Sequence, residues 1–505
     1  MFIRKKPNKS GVISIQVIDK SSGKYKVVKT IGSSSDPQII ASLITEGKQY
    51  IETLQKQHSI NFDSGLEQTL IDMFFAGIKE LTLAGPELLL GKIFDSIGFN
   101  KVKDELFRHL VICRLSFPSS KLKTTDYLFK YKGELIDVER VYRYLDKLHH
   151  SQKDLVQRIS YEHTLKVLKD AISLVFYDVT TLYFEIQDED DLRQTGFSKE
   201  GKHQNPQIVL GLLVSVDGYP LAYDIFEGKK FEGHTMLPVI KAFKTRYKLE
   251  NLVVVADSGL LSSHNIKELE QKKYGYILGA RLKSEKENIK KKILSLKLHN
   301  GESTEITKDE STRLIVSYSD SRARKDAFNR KRGLEKLEKK IKSGKLTKSN
   351  INNRGYNKYL QLEGDVNITI DYDKYNSDKV WDGLKGYITN IIMSKEQIIE
   401  NYRHLWKIEK AFRISKTDLR IRPIYHRLRK RIEAHICIAF CAYKVYKELE
   451  RQLKEKKSEL SPEKAIEIAK TIYRITIITP YSQTKESRLY TPNPEQINLL
   501  ELFKE

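Results

Sequence analysis

The spacing of apolar residues changes near residue 172 and divides the chain into regions of different predicted structure. Before this point, most of 66–170 predicts helices, and in 138–148 the apolar residues recur every three or four positions. The first 35 residues instead contain two β-rich runs on either side of a Ser-Ser-Gly turn. After residue 172 the apolar residues form short, nearly continuous runs, which are typical of strands buried on both faces.

Strand-like and helical runs alternate in a defined order between residues 172 and 282. The order is three strands, a helix, a strand, a helix and a strand. Residues 283–385 then mix polar strands with a highly charged helix, which indicates an insertion. One more strand (386–390) and two long helices, about 394–419 and 425–453, follow. The pattern predicts a multidomain α/β fold, with a ribonuclease H-like mixed sheet flanked by helices.

Two aspartates interrupt the apolar runs of this region. Asp178 lies in FYDVTTLYFE and Asp257 follows LVVVA, so each is predicted at the end of a buried strand. A carboxylate in such a place is costly unless it is paired or binds a metal. Ligands of open α/β sheets also gather at the carboxyl ends of strands. A turn or capping role for Asp178 and a helix cap for Asp257 are the simpler alternatives.

A glutamate lies on the predicted helix at 394–417. Glu409 shares one helix face with Tyr402 and Lys416, because the three residues are seven positions apart. An ordinary solvent-facing glutamate would fit the same spacing. Its surroundings are strongly basic, since 401–431 holds eleven lysines and arginines and two acidic residues. Such a surface attracts phosphates.

Composition indicates the class of partner. The 505 residues carry a formal net charge of +23, which indicates nucleic acid or an anionic membrane surface as a partner, although a merely basic composition is the alternative. No apolar stretch reaches about 18 residues and the basic start lacks a secretory signal, so we expect a cytoplasmic, nucleoid-associated protein with no membrane partner. Three cysteines form no disulfide framework, and Cys437 and Cys441 are expected as core thiols rather than zinc ligands.

Carboxylates that hold metal inside a basic protein suggest phosphodiester chemistry on nucleic acid. Three carboxylates fit two divalent ions about 3.5–4 Å apart. One ion would activate water or a 3′-hydroxyl, and the other would stabilise the leaving oxygen. Ligands that are all oxygen favour Mg²⁺, with Mn²⁺ as a possible substitute.

Four segments resemble the DDE transposases of bacterial insertion sequences, in the branch with a β-rich insertion before the glutamate. The resemblance spans roughly 170–450. The segments are FYDVTTLYFE, TGFSKEGKHQNPQIVLGLLVSVDGYPLAYDIFEG, VVVADSGLLSSHNIKEL and NYRHLWKIEKAFRISKTDLRIRPIYH. The resemblance implies that Asp178, Asp257 and Glu409 form a catalytic, metal-binding triad. It also implies that the protein cleaves the ends of an insertion sequence and joins their 3′-hydroxyls to target DNA.

The resemblance further implies DNA contacts around the glutamate. In this branch a tyrosine lies seven positions before it, an arginine four positions before it and a lysine seven positions after it. Tyr402 and Lys416 match, but position 405 is leucine. Arg403 or Arg413 would therefore have to supply the arginine, although neither occupies the same helical position.

Two other regions are expected near DNA on the same grounds. Related enzymes stack a flipped base on an aromatic residue of the insertion, for which Trp381 is the candidate. A packed aromatic residue is the simpler interpretation of Trp381. Lys199, Lys202 and His203 belong to a polar loop after the first strand, which would lie near DNA unless it is only a solvated loop.

The expected partner is double-stranded DNA, both as terminal inverted repeats and as target. Because two ends must be held together, a homodimer on DNA is expected. Two alternatives remain from the sequence. One is a catalytically inactive or domesticated DNA-binding protein, and the other is a ribonuclease H-like nuclease without strand transfer.

The sequence predicts six segments. They are an N-terminal β-hairpin and helix (1–60), a helical region suited to DNA binding (61–170), the first part of the core (171–282), an insertion with β strands and a charged helix (283–385), the completion of the core with the Glu409 helix and a C-terminal helix (386–455), and a C-terminal tail (456–505).

Overall fold

The protein forms two units in a computed structural model. The first unit comprises Met1–Lys79 and Thr476–Glu486, and the second comprises Glu80–Ile475 and Ser487–Glu505. The structure describes residues 1–505 except 56–63, 170–171, 199–200, 203, 345, 348–349, 353–354, 364–366, 480–481 and 505. None of the described helices is long and apolar enough to cross a membrane.

The first unit contains a three-stranded antiparallel sheet with β2 in the centre. Its elements are β1 (Phe2–Pro7), β2 (Ile13–Asp19), β3 (Lys26–Ser34), α1 (Pro37–Gln55) and α2 (Ser64–Gly77). Ile15, Val17 and Ile18 of β2 are fully buried. The sequence predicts only the hairpin of β2 and β3, because the residues of β1 are mostly polar and exposed and so lack an apolar pattern.

Helices dominate the second unit up to residue 168. The elements are β4 (Ile78–Leu83), which spans the boundary of the units, and then α3 (Lys92–Ile97), α4 (Glu105–Ser116), α5 (Lys121–Lys132), α6 (Val138–Lys147) and α7 (Lys153–Leu168). Side chains cap the N-termini of three of these helices: Asp104 caps α4, Ser120 caps α5 and Asp137 caps α6.

The central sheet follows, and its strand and helix order confirms the prediction. The elements are β5 (Leu174–Tyr183), β6 (Gln207–Ser215), β7 (Pro220–Glu227), α8 (Met236–Tyr247), β8 (Val253–Ala256), α9 (Ser263–Gln271) and β9 (Gly275–Ala280). β5 pairs in parallel with β8, and β8 in parallel with β9, while β6 and β7 add antiparallel strands. The mixed α/β core is therefore the one that the apolar runs predict.

The insertion contributes to the same sheet. Its elements are α10 (Glu287–Ser295), β10 (Ser303–Thr307), β11 (Arg313–Tyr318), α11 (Asp320–Lys342), β12 (Leu360–Glu363), β13 (Asn367–Ile370) and α12 (Tyr372–Ser377), followed by β14 (Leu384–Thr389). The strand order β10-β11-β14-β9-β8-β5-β6-β7 shows that β10 and β11 extend the core sheet to eight strands. β12 and β13 form a separate hairpin.

The chain then returns to one face of the sheet. The remaining elements are α13 (Lys395–Arg403), α14 (Trp406–Thr417), α15 (Arg429–Glu455), α16 (Pro462–Ala469), β15 (Tyr473–Ile478), β16 (Lys485–Tyr490) and α17 (Pro494–Leu502). The described residues of 456–505, a segment expected as a tail, thus form two helices and two strands. α15 is buried along most of its length, and Cys437 and Cys441 lie in its fully buried part.

The predicted single helix at about 394–419 is wrong, because the structure has two helices with a break at His404 and Leu405. The amides of Leu405, Lys407 and Ile408 bond to carbonyls three residues earlier, as in a 3₁₀ turn. This tighter winding keeps Tyr402, Leu405 and Ile408 all buried at a spacing of three residues. A straight α-helix would rotate the third of these side chains away from the core.

Charged groups fasten α14 to α15. Lys410 of α14 donates a hydrogen bond of 2.6 Å to Glu450 of α15, which also accepts one from Lys447. Burial alone would raise the pKa of Glu450, but the hydrogen bonds from Lys410 and Lys447 outweigh it and lower that pKa to about 2. The ion pair therefore fixes the helix that carries Glu409.

This pair predicts a pH-dependent contribution to stability. The pKa of Glu450 is lower in the fold than its ordinary value of 4.5, so the carboxylate stabilises fully above that value and loses its effect as the pH falls towards 2. Glu450→Gln should lower the free energy of unfolding by about 2 kcal/mol at neutral pH and by clearly less near pH 3. Urea denaturation across this range measures the difference.

Glu455→Gln is the matched control, because Glu455 lies on the same helix in an exposed pair with Arg451. We expect that variant to lose less than about 0.5 kcal/mol at either pH. Equal losses for the two variants, or a Glu450→Gln effect that grows in acid, would contradict the assignment.

Candidate functional site

Asp178 and Asp257 lie side by side on neighbouring parallel strands. The register pairs Tyr177 of β5 with Ala256 of β8, and the residue that follows each of them is one of the two aspartates. Two residues earlier, Phe176 and Val255 belong to one shared core on one face of the sheet. Because side chains alternate along a strand and Asp257 is still extended, both carboxylates project towards that face.

The prediction that Asp178 ends its strand is wrong. β5 continues to Tyr183, and beyond Asp178 it pairs with β6 alone, because β8 stops at Ala256. Asp178 therefore marks the end of the parallel ladder rather than the end of its strand. It is half-buried, and its Oδ1 accepts a hydrogen bond of 2.8 Å from the Val179 amide.

Tyr402 orients Asp257. Its hydroxyl donates a hydrogen bond of 2.9 Å to Oδ1 of Asp257, which is itself exposed. Burial, and then the charge of Asp257, raise the pKa of Tyr402, so the phenol stays protonated and acts as a donor. Tyr387 of β14 packs edge-on against the Tyr402 ring at 4.9 Å between centroids. One oxygen of Asp257 is thus held, and the other is left for a different partner.

Glu409 approaches the same face from α14. Ile408 and Phe412 of this helix are buried in the core that contains Phe176 and Val255, and α14 packs against β5. Glu409 itself is exposed in the first turn, where the positive end of the helix dipole favours a carboxylate. The inward side of α14 therefore packs against the sheet while Glu409 remains accessible.

Lys385 of β14 interacts electrostatically with Asp257, which follows β8, and with Glu409 of α14. Its Nζ lies 4.5 Å from the centroid of the Tyr402 ring. Burial and then the charge of Arg322 lower the pKa of Lys385, while the carboxylates of Asp257 and Glu409 act on it in the opposite direction. Both acids are therefore close enough to interact with one ammonium group.

Lys385 is not among the site residues predicted from the sequence. A signal was present, because Lys385 directly precedes the strand predicted at 386–390 and, two residues before Tyr387, shares its face. A lysine on the inward face of a buried strand needs an acidic partner. The acidic partners of Lys385 are nevertheless distant in sequence, so the spacing of residues around Lys385 could not identify them.

Comparison with known protein families assigns the domain. The model of the transposase DDE domain matches residues 156–444. The chain belongs to the DDE transposase family. This match includes Asp178, Asp257, Lys385, Tyr402 and Glu409, and the family generally uses divalent metal ions.

Two solved structures of transposases are distantly similar. One is a cryo-EM structure of a piggyBac transposase synaptic complex with hairpin DNA, at 10% identity and a TM-score of 0.39, covering 77% of this chain and 79% of that one. The other is a Mos1 transposase paired-end complex with a left transposon end, at 10% identity and a TM-score of 0.16, covering 31% of this chain and 53% of that one. No curated protein matches the chain.

The carboxylates of this DDE domain fit a divalent cation in their chemistry. All three offer oxygen ligands, which Mg²⁺ and Mn²⁺ prefer. They are not among the described groups of three whose ligand atoms lie within 4.8 Å of one another, so shared ligation would require them to draw closer.

The described residues contain one group of three within that distance, Glu105, His109 and Glu134. Lys132 lies 3.3 Å from Nδ1 of His109 and 3.6 Å from Glu134, so this group already contains an ammonium partner. Burial and then the charge of Lys132 lower the pKa of His109. We therefore interpret this group as an ion-pair cluster.

A cleft of about 690 Å³ adjoins Asp257 and Tyr402. Six cationic and four acidic side chains line it, including Lys385, Arg322 and Arg281. Trp381 also lines it, partly buried against a small core of the insertion. The cleft therefore connects Asp257 with the insertion.

The other expected DNA contacts are dispersed. Arg403 is exposed and pairs with Glu400 at 3.4 Å, Arg413 is exposed and Lys416 is half-buried. Because the helix is broken, Tyr402 points inward, and the continuous face expected for Tyr402, Glu409 and Lys416 does not form. Expected positions beyond this helix are Lys202, which is exposed with Nζ 5.3 Å from the Tyr183 ring, and Lys199 and His203, which lie outside the described residues.

The contact between Gly279 and Tyr402 gives a test of the site. A Cβ at Gly279 would overlap the Tyr402 hydroxyl and lie 2.9 Å from the Ser258 amide nitrogen. Gly279→Ala should therefore displace Tyr402 and release Asp257. We expect both Gly279→Ala and Tyr402→Phe to weaken Mn²⁺ binding about tenfold, as loss of a ligand's supporting hydrogen bond does. Electron paramagnetic resonance measures free Mn²⁺ during titration.

Gly259→Ala is the control, because nothing lies within 4 Å of a Cβ at this neighbouring glycine. Its Mn²⁺ affinity should equal that of the wild type, and all variants should keep the wild-type circular dichroism spectrum. Unchanged affinity in Tyr402→Phe would show that the hydrogen bond does not support metal binding.

Proposed function

We propose that the protein cleaves the ends of an insertion sequence and joins their 3′-hydroxyls to target DNA, with Asp178, Asp257 and Glu409 as the catalytic, metal-binding residues. The register of β5 and β8 carries this proposal, since it aligns the two aspartates on the face against which α14 packs. Membership of the DDE transposase family supports it.

We propose a separate role for each of these side chains and for Tyr402 and Lys385. The three carboxylates would hold Mg²⁺ or Mn²⁺, in our proposal two ions, which supply an activated nucleophile and neutralise the leaving oxygen. Tyr402 holds one oxygen of Asp257 and so fixes the direction of the other. Lys385 would balance the negative charge of Asp257 and Glu409 and then contact the incoming phosphate.

The DNA would lie along the basic surface beside these residues. We propose contacts from Arg403, Arg413 and Lys416, together with Lys202 in the polar loop. Trp381 would stack on an unpaired base, because the cleft gives its broad ring access to the region of Asp257. Two ends must be joined in one event, so the active form would be a dimer on DNA. Such a partner would also keep the protein at the nucleoid.

Cleavage and joining are the direct test. Purified protein is incubated with Mg²⁺ and the inverted repeats that flank its gene, and the cleaved and joined strands are mapped. We expect nicks at the repeat ends and joined products when pre-cut ends are supplied with plasmid DNA. Asp178→Asn should reduce the cleavage rate roughly a hundredfold or more and keep DNA binding, because only a carboxylate ligand is lost.

Asp154→Asn is the matched control, since Asp154 is exposed on α7, where it forms a surface ion pair of 3.0 Å with Arg246. It should cleave at the wild-type rate. Cleavage without joining would favour the nuclease alternative, and binding without cleavage in the wild type would favour the catalytically inactive DNA-binding protein.

A further inference from the structure

A basic cavity separate from the cleft lies where α5 begins, beside the chain that follows α14. Its volume is about 510 Å³. Seven of the side chains that line it carry or can carry positive charge, among them Arg114, Lys121, His426 and His435. The described residues that line it include no carboxylate. Tyr425 lies at its exposed margin, with 71% of its surface accessible.

The cationic groups of this cavity are buried. Lys121 and Arg114 are each 5% exposed. Nζ of Lys121 lies 3.3 Å from Nδ1 of His435, whose Nε2 lies 3.0 Å from the carbonyl oxygen of Ile421. Since a carbonyl only accepts, Nε2 donates to Ile421 and Nδ1 accepts from Lys121. The neutral histidine therefore satisfies one proton of the ammonium group and supplies no negative charge.

The remaining contacts supply no full negative charge either. The Arg114 guanidinium lies 3.4 Å from the carbonyl oxygens of Leu419 and Arg420. Burial lowers the pKa of Lys121, and the charge of Arg114 lowers it further. Burial likewise lowers the pKa of His426 to about 3, with Lys121 next in effect. Buried cations without a counterion are costly, so an anion that entered the cavity would be bound strongly.

The position of the cavity relates it to the carboxylates. Arg422, which lines it, lies 5.4 Å from the ring of Tyr183, and Lys202 contacts the same ring. Tyr183 ends β5 five residues after Asp178, which corresponds to about 17 Å of extended strand. Phosphates of one DNA strand advance about 3.4 Å along the helix axis. A DNA strand that ran alongside β5 from Asp178 would therefore reach Tyr183, beside Arg422, after roughly five nucleotides.

We propose that this cavity binds a backbone phosphate of the DNA end, roughly five nucleotides from the cleaved bond. Lys121 and Arg114 supply the charge, and the N-terminal amides of the twelve-residue helix α5 add donors. Tyr425 contacts the adjoining sugar or base at the margin. Only the position relative to the cut rests on the proposed function, since anion binding itself does not require cleavage.

The first experiment measures the anion. Wild-type protein is melted in inorganic phosphate and in sodium chloride of equal ionic strength. We expect phosphate to raise the Tm by several degrees, because it binds the folded state. Lys121→Met should lose this shift. Its Tm without phosphate should equal or exceed that of the wild type, because an uncompensated buried charge is removed.

Lys166→Met is the matched control, since Lys166 is an exposed lysine in α7. It should keep the full phosphate shift. A lower Tm of Lys121→Met without phosphate, or a phosphate shift that this variant retains, overturns the cavity as an anion site.

The second experiment identifies the source of the phosphate. Terminal-repeat duplexes carry a single neutral methylphosphonate at successive positions, and binding is measured in EDTA so that cleavage plays no part. Wild-type affinity should fall several-fold at one position roughly five nucleotides inside the repeat end. Lys121→Met should bind unmodified DNA several-fold more weakly and show no further loss at that position, and its salt slope should fall by about 1.

The outcomes separate the possibilities. A phosphate shift without any position-specific loss on DNA would mean that the cavity binds free phosphate, and the DNA assignment would fail. Both effects present in a protein that never cleaves would retain the site and reject the proposed enzymatic function. Neither effect present would overturn the inference while leaving the catalytic proposal intact.

Discussion

The parallel pairing of β5 with β8 is the constraint on which the rest of the site depends. It aligns two aspartates that are 79 positions apart in the chain, because each follows a residue of the same backbone pair. A shift of either strand by one residue would turn one carboxylate to the opposite face, away from α14. The apolar residues of β5 and β8 on both faces oppose such a shift, since slipping would expose or misplace every one of them. Core packing thereby determines that both aspartates lie on the face of the sheet that α14 covers.

Carboxylates brought together repel one another, and the surrounding residues compensate. Lys385 supplies a positive charge to Asp257 and Glu409, and the hydroxyl of Tyr402 donates to Asp257. The charge of Lys385 thus offsets part of the repulsion between the acids, and the hydroxyl of Tyr402 orients one of them. Because Glu409 is on a helix fastened to α15 through Lys410 and Glu450, its distance from the strands depends on the packing of α14.

Much of this arrangement could be predicted from the sequence, and the failures have physical reasons. Apolar runs identified the core strands because burial on both faces leaves a continuous pattern. The break at Leu405 was missed, since a three-residue spacing of buried side chains differs little from helical spacing over a single turn. β1 was missed because its residues are exposed. The joining of β10 and β11 to the core sheet depends on pairing with β14, about 70 residues away for β11, and local patterns carry no such information.

The two basic regions differ in how their charges are balanced, and this difference suggests separate roles. In the cleft, Asp378 pairs with Lys283 at 2.8 Å and with Lys358, and Asp382 pairs with Arg330, so acids of the insertion neutralise many of the cations. In the cavity beside α5, the described lining residues offer no such acids. A DNA phosphate would therefore gain most from the cavity, where it replaces a missing counterion, and less from the cleft, where it competes with existing pairs. Affinity for DNA would then arise mainly at the cavity, away from the carboxylates. The cleft, whose cations are paired with acids, would bind the reacting strand more weakly and so admit and release it.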